Sequence, residues 1–177
     1  MQANQILANA DVIYSNDEIN NAVKKIAADI TLKLQDTGPV VICVMSGGLV
    51  FAGHLLTQLR FPLTLDYVHA SRYQNNTASN VLHWKALPTL DLTNKTVLLV
   101  DDILDVGITL FEIAEKCKNL GAKAVYSAVL VEKALNTQKP IKADFVGLSV
   151  PDAYVFGYGM DAFGWWRNLP DIYALKS

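Results

Sequence analysis

The chain has 177 residues, with 15 Lys and Arg against 17 Asp and Glu, for a formal net charge of −2. This length predicts one domain over residues 1–177 with a sizeable core, and it is too short for two ordinary domains. Hydrophobic residues make up 51% of the chain and charged residues 18%. The composition is therefore globular, and the lack of a basic cluster argues against a nucleic-acid partner.

The first half of the chain begins with a capping box, in which Ser15 is the N-cap and Glu18 the third helical residue. Helical spacing follows as far as Pro39, and the apolar run at 40–45 is typical of a central parallel strand. The remaining predicted elements of this half are a helix over 49–59, a strand over 63–70, a polar mobile loop over 71–80 and a returning hairpin arm over 81–86.

The second half alternates strands with helices. Its predicted elements are a buried strand over 97–100, a helix over 109–119 closed by Gly121, a buried strand over 124–131, and short strands over 144–150 and 154–158. This order predicts an α/β domain with a central, mostly parallel sheet flanked by helices. We expect the N-terminal and C-terminal segments to pack together as a small lid.

Two features bear on the compartment. Cys43 and Cys117 lie in apolar contexts, so we expect reduced, buried thiols and no disulfide. The N-terminus lacks the pattern of a signal peptide, and the uncharged stretch 37–59 is divided by a Ser-Gly-Gly turn at 46–48, so we expect no membrane span. These observations predict a cytoplasmic protein.

The most informative stretch follows the strand over 97–100. Asp101 and Asp102 come at the end of that strand, and Asp105 opens a loop that passes through Gly107 and Thr109 into a helix. Ligands of open α/β sheets bind at the carboxyl ends of strands, and a Gly-containing loop before a helix offers backbone N–H groups to a phosphate. The pattern predicts a phosphorylated ligand that is bound with magnesium.

This stretch resembles the motif of the type I phosphoribosyltransferases that binds 5-phosphoribosyl-1-pyrophosphate (PRPP). Together with the turn at 46–48, Glu132-Lys133 and the segment 154–167, it resembles the hypoxanthine-guanine branch of that family over about 38–167. The resemblance implies the type I fold and a purine salvage enzyme that makes IMP or GMP from PRPP and a 6-oxopurine. It also implies Mg²⁺ as the cofactor and a homodimer or homotetramer.

The resemblance assigns the PRPP-binding residues. Asp101 and Asp102 are expected to hold the ribose hydroxyls and to help organise the metal. Asp161 is expected to be a second metal ligand or the metal's water-mediated partner. The loop expected to bind the 5′-phosphate comprises Asp105, Val106, Gly107, Ile108 and Thr109. Val106 stands where relatives usually have Thr or Ser, and Ile108 stands where they often have Lys. Both replacements remove side-chain contacts to the phosphate and leave the backbone contacts of the loop.

The pyrophosphate is expected at Ser46 and Gly47. Ser46 stands where many relatives have Lys or Arg, so Arg167 becomes the main protein cation expected there. The resemblance also predicts a cis peptide bond between Met45 and Ser46.

The purine is expected beside Asp105, Lys133, Tyr154, Val155 and Asp161. Asp105 is the predicted general base toward N7. Lys133 is expected to donate to the exocyclic O6, and because an ammonium only donates, hypoxanthine and guanine are preferred over adenine. Tyr154 is expected to stack on the base, with Val155 and Asp161 nearby.

A mobile loop that begins at Arg72 and Tyr73 is expected to close over the site and exclude water. Two alternatives stay open at this point. One is a relative that prefers guanine or xanthine, and the other is a regulator that senses PRPP and has lost catalysis.

Overall fold

The structure is a computed structural model that describes residues 3–72 and 82–176. Its helices are α1 (Ala3–Ala8), α2 (Asn16–Leu34), α3 (Gly48–Leu56) and α4 (Ile108–Asn119). Its strands are β1 (Ala10–Tyr14), β2 (Val40–Met45), β3 (Thr64–Arg72), β4 (Leu82–Ala86), β5 (Thr96–Leu104), β6 (Ala124–Lys133), β7 (Phe145–Val150), β8 (Val155–Phe156) and β9 (Ile172–Leu175).

The larger sheet has the strand order β4-β3-β2-β5-β6-β7. Strand β4 runs antiparallel to β3, and the other neighbours pair in parallel. This arrangement confirms the predicted α/β fold with a mostly parallel central sheet. Its central strands β2 and β5 lie between the other strands, which explains why both read as unbroken apolar runs.

Alternate residues of the central strands face opposite layers of helices. Val41 and Val100 belong to the apolar cluster formed with α2 and α3. Val40 and Leu99 belong to the cluster on the other face, which contains the apolar side of α4. Because a strand points successive side chains to opposite faces, a fully apolar strand fills both layers of the core.

Helix α2 begins as the sequence predicts. Glu18 Oε2 accepts a hydrogen bond from the Ser15 N–H at 2.9 Å, and the Ser15 side chain accepts from the Glu18 N–H in return. This reciprocal pair satisfies two backbone donors that the first turn of a helix leaves unpaired.

Strand β5 extends beyond the predicted end at Val100 and includes Asp101 and Asp102. It stays paired with β6 as far as Leu104 opposite Glu132, whereas its pairing with β2 ends at Val100 opposite Cys43. The expectation that the acids follow the strand was therefore wrong by a few residues. They lie where β2 has separated from β5, so a crevice opens between the two strands.

A second sheet with the order β1-β9-β8 joins the two ends of the chain. Strand β1 pairs antiparallel with β9, and Ile6, Phe156 and Ala162 are buried together beside it. The predicted packing of the terminal segments into a small lid is confirmed. The expected strand over 154–158 is shorter, because Gly157 and Tyr158 have positive φ angles of 94° and 49°.

The predicted hairpin is present, since β3 and β4 pair antiparallel as far as Arg72 opposite Leu82. Residues 71 and 72 belong to β3, so the expected loop does not begin at Arg72 as predicted. The rest of that loop, from Tyr73, lies outside the described residues. Among the helices in the described part of the chain, none is both long and apolar enough to cross a membrane.

Candidate active site

A cavity of about 320 Å³ lies at the carboxyl ends of β2 and β5, within the crevice. It brings together most of the residues predicted to bind PRPP. Those that line it are Ser46, Gly47, Asp101, Asp102, Asp105, Val106, Gly107, Ile108, Thr109 and Arg167. Residues more than a hundred positions apart in the chain thus share one surface.

Asp101 and Asp102 form a buried pair of carboxyls at the floor of this crevice. The Asp102 N–H donates to Asp101 Oδ1 at 2.9 Å, and the Ile103 N–H donates to Asp102 Oδ1 at 2.9 Å. Burial raises the pKa of both carboxyls, and the neighbouring Asp102 raises the pKa of Asp101 further. The positive charge of Arg167 partly opposes the rise in the pKa of Asp102. A pair in this state favours a bound cation, because a cation stabilises the ionised form.

The loop after β2 lies directly against this pair. The Met45–Ser46 peptide bond is cis, as the sequence predicts. A Cβ atom on Gly47 would lie 1.9 Å from Asp102 Oδ2, so only glycine allows this approach. A Cβ on Gly159 would lie 2.1 Å from the Gly47 carbonyl oxygen, which means that the C-terminal segment supports the same loop.

Arg167 reaches the crevice from the C-terminal segment. Its Nη1 donates to the Gly159 carbonyl oxygen at 2.7 Å, and its Nη2 lies 2.6 Å from Asp161 Oδ1. The backbone repeats this connection, since the Gly159 N–H donates to the Arg167 carbonyl at 2.8 Å. The guanidinium is therefore held in place beside the cavity that it lines.

The loop from Asp105 to Thr109 ends at the first turn of α4. Gly107 is the N-cap with a φ angle of 84°, a left-handed conformation that favours glycine, and it offers no side-chain acceptor to the helix. The N–H groups of the first turn face the loop, where an anion would be stabilised by them and by the helix dipole. Val106 and Ile108 offer apolar side chains, so the polar contribution of the loop comes from its backbone and from Thr109.

Lys133 and Asp105 lie together at the neighbouring ends of β6 and β5. Lys133 Nζ is 3.2 Å from Asp105 Oδ2 and 3.9 Å from Asp152 Oδ1. The Lys133 side chain is 13% exposed and that of Asp105 is 44% exposed. The pair thus presents one donor and one acceptor group side by side at the edge of the crevice.

Among the residues expected beside the purine, only Asp105 lines this crevice, and the others do not: Lys133, Tyr154, Val155 and Asp161. The exposed ring of Tyr154 stacks on Phe163 with centroids 5.3 Å apart. The side chain of Val155 is buried in the core, so a ligand could contact only its backbone.

No prediction from the sequence named Phe163, Gly159 or Asp152 as a site residue. The Gly-Tyr-Gly pattern at 157–159 was the available sign of a close backbone approach.

Asp161 does not form one cluster with Asp101 and Asp102, and its expected role as a second metal ligand or as a water-mediated partner of the metal stays a prediction. Its Oδ1 pairs with Arg167, and its Oδ2 accepts from the Gly164 N–H at 2.8 Å. Within residues 3–72 and 82–176, no group of three or more His, Cys, Asp or Glu residues is arranged to hold a metal ion. The remaining acidic pair is Asp101 and Asp102.

The protein has an α/β fold with a crevice at the carboxyl ends of its strands, which is where such sheets bind their ligands. A family model described as a phosphoribosyl transferase domain matches residues 9–162. The chain belongs to this phosphoribosyl transferase family.

Several individual proteins of this family are similar to the chain over most of its length. The hypoxanthine-guanine phosphoribosyltransferase of Bacillus subtilis is 38% identical over 93% of this chain and 92% of its own length. The hypoxanthine-guanine-xanthine enzyme of Tritrichomonas foetus is 32% identical over 93% of this chain and 91% of its own. A solved hypoxanthine phosphoribosyltransferase from Staphylococcus aureus has a TM-score of 0.90 and 28% identity over 99% of this chain and 97% of that one.

Proposed function

We propose that this protein transfers the 5-phosphoribosyl group of PRPP to hypoxanthine or guanine. A purine ring nitrogen attacks C1 of the ribose, the bond from C1 to the pyrophosphate oxygen breaks, and IMP or GMP forms with release of pyrophosphate. The observation that carries the choice of base is the 3.2 Å contact between Lys133 and Asp105 at the edge of the crevice. This pair matches the donor and acceptor that a 6-oxopurine requires.

The two residues of the pair have different roles in the proposal. Lys133 Nζ donates a hydrogen bond to O6 of the base, and it would leave the amino group of adenine without an acceptor. The Asp105 carboxylate accepts the proton that the purine loses as it forms the new bond. Binding of the base therefore replaces part of the ion pair between Lys133 and Asp105.

The PRPP moiety occupies the remainder of the crevice in this proposal. The backbone of the loop at 105–109 and the Thr109 hydroxyl hold the 5′-phosphate. Gly47 and Arg167 hold the pyrophosphate, and Asp101 and Asp102 hold the ribose hydroxyls. Arg167 stays aligned through its contacts with Gly159 and Asp161.

The acidic pair fits Mg²⁺ as the cofactor. Two adjacent buried carboxyls with raised pKa values offer oxygen ligands, which this ion prefers, and the ion keeps several waters and binds phosphate oxygens as well. When bound, the ion would offset the negative charge that develops on the departing pyrophosphate. Because PRPP is a highly charged molecule that does not cross membranes, we also assign the protein to the cytoplasm.

We further propose that the protein forms a homodimer or homotetramer. Leu49 on α3, and Leu65 and Tyr67 on β3, each expose half or more of their surface although they are large and apolar. Light scattering at several concentrations tests this point, and a monomer at micromolar protein would contradict it.

Two substitutions test the roles proposed for Lys133 and Asp105 at the purine. We expect Lys133→Met to reduce the preference for hypoxanthine over adenine about 10- to 150-fold, which corresponds to the ~1.5–3 kcal/mol of a hydrogen bond to a charged group. We expect Asp105→Asn to lower kcat by about 10²- to 10⁴-fold, with little change in the affinity for PRPP. Lys142→Met serves as a control, since Lys142 is an exposed lysine on the segment that follows β6.

Unchanged selectivity in Lys133→Met would contradict the role of that lysine. Equal losses of turnover and of PRPP affinity in Asp105→Asn would contradict the role of Asp105 as the general base. Both assays use the full chain with Mg²⁺ and follow by absorbance the formation of IMP from hypoxanthine and of AMP from adenine.

A further inference from the structure

We infer that Lys139 is a positioning residue that holds Asp105 and Lys133 in their relative places. Lys139 Nζ donates to the Lys133 carbonyl oxygen at 2.7 Å and to the Leu104 carbonyl oxygen at 3.0 Å. It also lies 3.3 Å from Glu132 Oε1. An ammonium has three donors, and these contacts use all of them.

The two carbonyls that Lys139 contacts lie at the proposed purine site, one on Lys133 and one on Leu104, the residue before Asp105. The Leu104 carbonyl is part of the peptide group that begins Asp105, and the other carbonyl is that of Lys133 itself. Regular pairing of β5 with β6 ends at Leu104 opposite Glu132. The ammonium of Lys139 therefore joins the two strands at the point where their backbone hydrogen bonds stop.

Lys139 is well suited to a fixed position. Its side chain is only 11% exposed, although lysine is seldom buried without a partner. A buried ammonium that lost its acceptors would carry a large desolvation cost, so the three acceptors and the lysine stabilise one arrangement. The segment 134–142 is thereby tied to the ends of both strands.

The same segment also packs against the loop at 105–109, which is proposed to bind the 5′-phosphate. A Cβ atom added to Gly107 would lie 3.5 Å from Lys139 Cβ and 3.4 Å from Ile141 Cγ2, which is ordinary packing distance. The aliphatic part of Lys139 thus lies next to Gly107, while its ammonium contacts the backbone next to Asp105 and at Lys133. Because all three donors are used by the protein, Lys139 acts through its neighbours and does not contact the substrate.

The inference rests on the proposed function for its kinetic consequences, but its structural part can be tested separately. Lys139→Met removes the ammonium and keeps most of the stem, and Lys139→Gln is a milder variant that keeps a shorter donor. Lys142→Met on the same segment is the matched control. Hydrogen exchange, thermal unfolding and steady-state kinetics are measured for each protein.

We expect Lys139→Met to lower kcat/KM for hypoxanthine about 10- to 100-fold, because a displacement of about 1 Å in a reacting group can cost about 100-fold. We expect its preference for hypoxanthine over adenine to fall as well. Its KM for PRPP should stay within about threefold, because methionine keeps the stem that packs beside Gly107 and because Asp101 and Asp102 are held by their own strand. Amide exchange should accelerate in peptides that cover 103–107 and 132–136. Lys142→Met should match the wild type in every measurement.

Wild-type kinetics and wild-type exchange in Lys139→Met would overturn the inference, and so would a lower Tm with unchanged selectivity and exchange. If Lys139→Met does not fold, Lys139→Gln is judged by the same criteria. If the wild type converts no base, the proposed function fails, and exchange at 103–107 and 132–136 alone still decides whether Lys139 fixes these strand ends.

Discussion

The approach of Gly47 to Asp102 gives a sharp prediction for the substitution Gly47→Ala. The new Cβ atom would lie 1.9 Å from Asp102 Oδ2, 2.5 Å from Cγ and 2.7 Å from Oδ1. The backbone of Gly47 has a φ angle of −63°, which any residue adopts. The effect of the substitution therefore comes from the clash with the carboxyl group and not from backbone strain.

The size of the effect follows from the overlap. Ordinary contacts of a Cβ atom begin at about 3.4 Å, so the carboxyl group or the loop must move by about 1.5 Å from its position 1.9 Å away. Asp102 cannot rotate freely, because its Oδ1 accepts from the Ile103 N–H. A shift of this size in a group that positions substrate lowers the rate by about 100-fold or more, which is about 2.7 kcal/mol at the transition state.

The assay compares kcat/KM for PRPP in Gly47→Ala, Gly53→Ala and the wild type, with Tm measured for each. Gly53 lies within α3, and a Cβ atom there would have nothing within 4 Å. We expect Gly53→Ala to keep wild-type activity and to gain about 0.5–1 kcal/mol of stability, because alanine favours the helix. If Gly47→Ala kept kcat/KM within threefold of the wild type, the proposed contact between this loop and Asp102 would be refuted.

Three further predictions concern stability and reactivity. We expect Asp66→Ala to destabilise the fold at pH 7 by about 1–3 kcal/mol, because its carboxylate accepts three backbone N–H groups. Burial alone would raise the pKa of Asp66, but these hydrogen bonds lower it. The stabilisation by Asp66 is therefore complete above the unfolded pKa of about 3.9 and is lost as the pH falls through the folded pKa. Urea titrations at pH 7 and pH 3 measure this difference, and an equal effect of Asp66→Ala at both pH values would contradict the prediction. Burial raises the pKa of Cys43 and of Cys117 to about 11, so both thiols should resist a thiol reagent at pH 8 until the protein unfolds, and rapid labelling of the native protein would count against the buried positions. Tyr158→Phe removes the hydroxyl that hydrogen-bonds His54, and we expect a loss of about 0.5–1.5 kcal/mol in urea unfolding, whereas no change would mean that the bond contributes nothing.

The central part of the fold could be predicted because its elements carry local signals. The apolar run at 40–45 and the capping box at Ser15 each depend on neighbouring residues, and both predictions are confirmed. The stretch from Asp101 to Thr109 likewise joins a strand, a loop and a helix in one continuous pattern, so its place at the strand ends could be inferred.

The ends of β5 and of the C-terminal strands were harder to predict. Asp101 and Asp102 remain in β5 because β6 continues to pair with them, and that pairing depends on residues that are distant in sequence. The strand expected over 154–158 stops at Phe156, where the chain turns at Gly157. The extension of β5 is not visible in the local pattern, whereas the Gly-Tyr-Gly pattern at 157–159 was a local sign of the turn.

Contacts made by side chains across turns or between strands were the hardest to predict from the sequence. The ion pair between Arg167 and Asp161 forms across a turn, and no spacing rule predicts it. Lys139 lies in a polar segment that looks like an ordinary surface loop, and its three acceptors are fixed only once β5 and β6 are aligned. Such contacts require the fold before they can be recognised.

Nucleotide formation from PRPP and Mg²⁺, with hypoxanthine, guanine, xanthine and adenine assayed in parallel, decides whether the protein has the proposed activity. We expect hypoxanthine and guanine to be converted to IMP and GMP with release of pyrophosphate, and adenine not to be converted. The turnover of xanthine decides between the hypoxanthine-guanine activity and a preference for guanine and xanthine. Conversion of adenine in preference to the 6-oxopurines, or binding of PRPP without turnover of any base, would contradict the account.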